Sequence, residues 1–119
     1  MCGNKFAVQF IYMQTYPIAD LPKLKVNDDR FDVRYINTEN LSVAFNIMEP
    51  GAVVPVHQHN EETIDIVLDG VLKMTIGGQT LMMTKNTVTK VGSDIPHGAT
   101  AITRCEVINI FYPARKDFL

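Results

Sequence analysis

The chain has little with which to staple itself together or to span a bilayer. Among 119 residues it carries two cysteines, Cys2 and Cys105, and neither sits in a CxxC pair. That spacing excludes a zinc ribbon or a dithiol redox motif, and both read as free, reduced thiols. No apolar run approaches the roughly 20 residues that a membrane-spanning helix needs. The opening stretch, MCGNKFAVQFIYMQ, has one lysine and no small-residue cleavage site behind an apolar segment. It does not read as a signal peptide, so a cytoplasmic location is expected. Basic charge is also scarce: 11 Lys and Arg against 13 Asp and Glu give a net charge of −2. A nucleic-acid partner needs a basic face and is not expected, nor is a membrane. Long amphipathic helices are missing, since no window sustains apolar residues at i, i+3, i+4 and i+7 between caps. There is no internal repeat and no low-complexity segment.

What is present is alternation. With 46% hydrophobic and 20% charged residues, the composition is that of an ordinary globular protein, and the length suits one domain over 1–119. Period-two runs rich in β-branched and aromatic residues occur at 6–13, 31–36, 41–48, 63–68, 71–76, 79–84 and 106–112. Turn signals separate them: EPG at 49–51, DG at 69–70, GG at 77–78, KN at 85–86 and GSD at 92–94. The segment YPIADLPKL at 16–24 reads as a loop or a single short turn. Many short strands with frequent turns predict an all-β sandwich or barrel.

Histidine is scarce, and its placement is uneven. Two of the three histidines, His57 and His59, fall one residue apart in HQHNEETIDIVLDG. On a strand both would point to the same face. His97 follows 38 residues later, after about four further strands. An antiparallel barrel can return it beside the first pair. Three neutral imidazoles at one point make most of a tetrahedral metal site or half of an octahedral one.

PGAVVPVHQHNEETIDIVLDG, residues 50–70, resembles the first motif of the cupins: Gly51, five residues, His57 and His59, then the closing Gly70. NTVTKVGSDIPHGA, residues 86–99, resembles the second, with His97 at its ligand end. The resemblance implies a single-domain cupin jelly-roll β-barrel (a double-stranded β-helix) holding a divalent metal ion: Mn, Fe, Ni, Co or Zn. VINIFYPARKDFL, residues 107–119, is similar to the end of the small single-domain cupins of pectin and uronate breakdown. That group implies metal-assisted conversion of a 4,5-unsaturated uronate to its linear keto form, on a small sugar-acid substrate. Small cupins also commonly pair, so a homodimer is expected.

Several positions depart from the family pattern. The fourth ligand, usually Glu or Gln, falls at Thr63 or Ile64, and a threonine hydroxyl is a poor ligand. Glu61 and Glu62 precede it, where a solvated loop edge is the plain reading. Glu62 is the expected fourth ligand if a one-residue bulge turns it inward; Asp65 or water could serve instead. By parity, Glu61, Thr63, Asp65 and Val67 share the histidines' side. In the inverted register the isoleucines would face the core and Asp65 would face water. Asn109 stands where the uronate enzymes have Asp, with Phe111 two residues on. Asn109 cannot act as a general base, so proton transfer would move to Asp65. Asn86 replaces a glycine and tolerates the left-handed conformation of a tight turn; Gly92 and Asp94 alter the loop before His97. Of Met82 and Met83 only one can face inward, where it fills core.

The expected assignment is therefore His57, His59, His97 and Glu62 around the metal, Asp65 and Asn109 as catalytic groups, and Thr63 and Phe111 against the substrate. An iron-dependent dioxygenase and a non-catalytic metal- or metabolite-binding module are the competing readings.

Overall fold

The alternation of the sequence becomes two antiparallel sheets. The structure, a computed structural model, describes the backbone of Val8–Gln9 and residues 12–118. Two short strands, β1 (Val8–Gln9) and β2 (Gln14–Thr15), pair with each other. Cys2 and residues 6–7 and 10–11 of the strand expected over 6–13 lie outside the described residues. A single 3-10 turn at Ile18–Asp20 follows within the proline-bearing loop. The barrel is made by β3 (Phe31–Asn37), β4 (Ser42–Met48), β5 (Val53–His57), β6 (Glu62–Asp69), β7 (Leu72–Ile76), β8 (Gln79–Met83), β9 (Thr87–Val91), β10 (His97–Ala101) and β11 (Cys105–Tyr112). A 3-10 turn at Lys116–Phe118 ends the described chain.

One sheet has the order β3-β4-β11-β6-β9 and the other β5-β10-β7-β8. Their facing sides enclose the interior of a jelly-roll β-barrel. Among the described residues no helix is long and apolar enough to cross a membrane. The hairpins fall where the turn residues predicted them. Gly77 and Gly78 both have positive φ, at 55° and 81°, as a two-residue hairpin turn of the primed type requires. Gly70, at φ 92°, is required twice over, because a β-carbon there would also overlap the Arg104 carbonyl oxygen. Asn86 takes φ 66° in place of the family's glycine.

The core gathers at one end of the barrel. Val67, Met83 and Cys105 are fully buried and pack with Leu72, Met74, Val91 and Val107. Burying each such side chain stabilises the fold by roughly 1.5–3 kcal/mol. Met83 lies in this core while Met82 is half exposed, as the strand period demands. A smaller cluster of Val33, Ala44, Phe111 and Phe118 lies toward the other end, beside the cavity.

The outer face of the five-stranded sheet is apolar. In register across it run Phe45, Ile108, Ile66 and Val88, and beside them Val43, Ile110 and Ile64. Ile64, Leu68 and Val88 are substantially exposed. This answers the register question in β6: Thr63, Asp65 and Val67 are buried, and the isoleucines face outward.

Candidate metal centre and its cavity

His57 is the last residue of β5, and His97 opens β10 directly opposite it. The register between the two strands shifts between His97 and Ala99, where β5 places two residues, Pro55 and Val56, against Gly98. Gly98 permits the close approach of the strands here, since a β-carbon there would lie 2.9 Å from the Val54 carbonyl oxygen. His59 lies just beyond the end of β5 rather than on the strand, yet it stays on the same side. Ring centroids are 4.4 Å apart for His57–His97, 4.9 Å for His59–His97 and 5.4 Å for His57–His59. One ligand atom from each histidine lies within 4.8 Å of the others.

The backbone sets the tautomers. Nδ1 of His57 lies 2.8 Å from the Pro55 carbonyl, that of His59 lies 2.9 Å from the Glu61 carbonyl, and that of His97 lies 2.8 Å from the Ile95 carbonyl. A carbonyl only accepts, so each Nδ1 carries the proton and donates it. In a neutral ring that tautomer leaves Nε2 with a lone pair, the state a metal ligand needs. Burial lowers the pKa of both His59 and His97, and the Arg115 charge lowers that of His59 further. Both are therefore neutral at neutral pH. This donor set fits a divalent first-row metal ion.

A cavity of about 330 Å³ opens beside the trio. Thr63, Asp65, Asn109, Phe111 and Arg115 line it with the three histidines. Asp65 and Asn109 are register partners on β6 and β11. The Asn109 amide Nδ2 donates to Asp65 Oδ1 at 2.6 Å, while its Oδ1 accepts from Asn46 Nδ2 at 2.7 Å. Asn46 also donates to the Val107 carbonyl at 3.1 Å. This chain across three strands fixes which way the Asn109 amide points. Burial pushes the Asp65 carboxyl up to about 6, against the opposing pull of the Asn109 hydrogen bond and the electrostatic influence of the nearby His57 ring. The Thr63 hydroxyl is buried with no hydrogen-bond partner in the protein. Such an orphan is uncommon and marks a place for a ligand or water.

Glu62 is not where a fourth ligand would have to be. The inward bulge that its role required does not form: β6 pairs in unbroken register with β11 from Val107 to Tyr112. Glu62 therefore sits opposite Tyr112 on the outer face, exposed to solvent. Its neighbour Glu61, read as a solvated edge, is buried at 8% exposure. Glu61 Oε1 approaches His59 Nδ1 at 3.3 Å and Arg115 Nε at 3.9 Å.

Sequence reasoning missed Arg115 and Asn46. Arg115 comes from the tail, pairs with Asp117 at 2.9 Å, and lies over the rings of Phe111 and Phe118 at 5.1 and 5.6 Å. Ser42 Oγ anchors the tail by accepting the Arg115 backbone N–H at 2.8 Å. The tail motif YPARKDF was the available signal. Asn46 had none, because its partner is 63 residues away.

Comparisons with known proteins agree with this fold. No curated protein sequence matches the chain. Among solved structures, an RmlC-like cupin from Shewanella frigidimarina is similar with a TM-score of 0.77 at 22% identity, over 85% of this chain and 91% of that one. KdgF from Halomonas sp. is similar with a TM-score of 0.77 at 23% identity, over 85% and 94%. Oxalate decarboxylase of Bacillus subtilis, studied for its Mn(II) centres, reaches 0.72 at 19% identity, over 82% of this chain and 29% of that one. At these identities the likeness is one of fold. The family model of the cupin domain, Cupin_2, matches residues 44–111. That match runs from β4 to β11 and takes in all three histidines, and the chain belongs to the cupin family.

Proposed function

We propose that this cupin is a metal-dependent enzyme that shifts a proton on a small oxygen-rich acid. The concrete form drawn from the sequence resemblance is isomerisation of a 4,5-unsaturated uronate to its linear keto form. One observation carries the reading: three imidazoles with free Nε2 atoms share a cavity with Asp65, a carboxyl whose pKa is pushed up to about 6. That value suits a group that takes and returns protons near neutrality. His57, His59 and His97 would hold the divalent ion. When bound, it would act as a Lewis acid on a substrate oxygen.

The chain's own groups supply the rest. Arg115 spends its Nε and Nη2 on Asp117 and offers its charge and its Nη1 end to the substrate carboxylate, and its place over Phe111 and Phe118 limits its movement. Asp65 accepts the proton of the anomeric hydroxyl as the ring C–O bond breaks and the aldehyde forms. It returns a proton to carbon 4 as the enol becomes the ketone, so no atom is gained or lost. Asn109 holds Asp65 through its amide, and the unpartnered Thr63 hydroxyl is free to bond a substrate oxygen. Phe111 forms an apolar wall.

The test pairs elemental analysis with an assay of metal-loaded protein on unsaturated galacturonate, following loss of absorbance from the C4=C5 bond. Turnover that disappears in His97→Ala and Asp65→Asn supports the reading. Metal uptake without turnover would replace it with a binding module, and oxygen uptake would replace it with a dioxygenase. As partner for the apolar outer sheet face we propose a second copy of the chain. Leu68→Lys with Val88→Lys, both at exposed positions, is expected to halve the mass measured by light scattering.

A further inference from the structure

The cavity has a second half that the proton chemistry does not use. Its polar groups gather on β6, β11, the histidine strands and the tail. At the other side of the five-stranded sheet, β3 presents Phe31 and Val33, and the loop before it adds Leu24 and Val26. The facing sheet contributes Val54 and Met74. In the sheet order β3 stands three places from β6, which at ~4.8 Å per strand separates this wall from Asp65 by roughly 14 Å. All six side chains are hydrocarbon or thioether. The nearest polar side chain in the sheet, Asn46, has already committed its amide N–H groups to Val107 and Asn109.

This division bears on the substrate. A body hydroxylated at every carbon would press hydroxyls against a wall with no donors or acceptors, and each would lose its hydrogen bonds to water without replacement. A hydrocarbon body would leave water at no such loss. Volume agrees, since about 330 Å³ exceeds what an acid head alone fills and is within the range of small-ligand sites.

We infer that the substrate of this site carries an apolar body behind its oxygen-rich head: a 2-oxo acid, or its enol, with a small aliphatic or aryl tail. The inference rests on the reading of the metal site given above for the head, and puts an acid with an apolar tail in place of the uronate. The carboxylate faces Arg115 and the oxo oxygen faces the histidine trio. Enolisation keeps the balance required of an isomerase. The C3–H bond breaks, its electrons form the C2=C3 bond, and the oxo oxygen gains a proton, with Asp65 as carrier.

The test is calorimetric titration of the metal-loaded full chain with pyruvate, 2-oxobutyrate, 2-oxovalerate, 2-oxohexanoate and phenylpyruvate, with galacturonate as the hydroxylated probe. Kd is expected to fall about fourfold per methylene, with an increasingly negative heat-capacity change. Val26→Asn, at an exposed position, and Val33→Thr are expected to flatten the series while leaving pyruvate unchanged. A flat series in the native chain, or galacturonate binding more tightly than every oxo acid, would overturn the inference even where the protein takes up metal. A chain that binds no metal but keeps the fourfold steps would sink the site reading and leave the apolar tail standing.

Discussion

Strands β6 and β11 each serve two regions of opposite character, two residues apart. Val67 and Val107 pack into a dry core with Met83, Val91 and Cys105. One inward step along the same strands, Asp65 and Asn109 face the cavity with the histidines. Both pairs obey one alternation, so the pleat decides only that all four point inward. What separates dry core from reactive cavity is distance from the closed end of the barrel. Opposite Val67 and Val107 the facing sheet supplies Leu72 and Met74, which also border the cavity; toward the open end it supplies imidazoles. A carboxyl so close to the core keeps a proton far above the usual carboxylate range, and the same burial makes it useful.

The sharpest way to break this comparison is to remove a ligand from the open end. His97→Ala is expected to abolish metal retention and lower kcat/KM by about 10³-fold or more, read by elemental analysis and assay, with the dry core left folded. Acid should mimic this change. Metal must displace protons from His59 and His97 as the pH falls toward their lowered pKa values, so metal is expected to leave on the acid side of neutrality.

Asp65→Asn tests the open end without touching a histidine. The loss in kcat is expected to be about 10²–10⁴-fold. Stability should move the other way. In the metal-free protein Asp65 has a folded pKa of about 6 against 3.8 unfolded, so the folded state binds the extra proton between those values. Stability therefore falls as pH rises from about 3.8 to about 6 and stays lower above it, by about 3 kcal/mol. Asp65→Asn should remove that slope and raise the urea midpoint at pH 7. An unchanged slope would show that Asp65 is not the buried acid described.

At the closed end the expectations reverse. Met83→Ala should cost about 2–5 kcal/mol of stability and leave kcat of the folded fraction unaltered. A matched loss of kcat would mean that the two regions are mechanically coupled. The smallest effect is expected from Thr63→Val, which removes the unpartnered hydroxyl. The free protein should gain about 1 kcal/mol, while KM rises if that hydroxyl binds substrate.

Much of this division could be read along the chain. The HxH pair, the turn residues and the alternation TIDIVL placed Thr63, Asp65 and Val67 on the histidines' side. The Glu61–Glu62 pair was read the wrong way round. Parity assigned Glu61 inward, but both residues looked like a solvated edge, and a bulge would have exchanged them. Whether a strand bulges depends on its neighbours' register, which no local pattern carries. Asn46 was invisible for the same reason, since it matters only because β4 lies beside β11. The apolar half of the cavity escaped because Phe31 and Val33 look like ordinary core until the sheet order sets them three strands from Asp65.

The sequence by itself determined the all-β class, the turns, which residues of each strand share a face and the three histidines as the candidate ligand set. These follow from period-two side-chain geometry, backbone preferences of glycine and asparagine, and imidazole chemistry, all of which act within a few residues. Only the tertiary structure decided that His97 lies opposite His57, that Glu61 rather than Glu62 is buried beside His59, that Arg115 reaches the cavity, and that the cavity has an apolar wall. Each of those depends on pairing between segments tens of residues apart, and such pairing is fixed by closing the barrel as a whole.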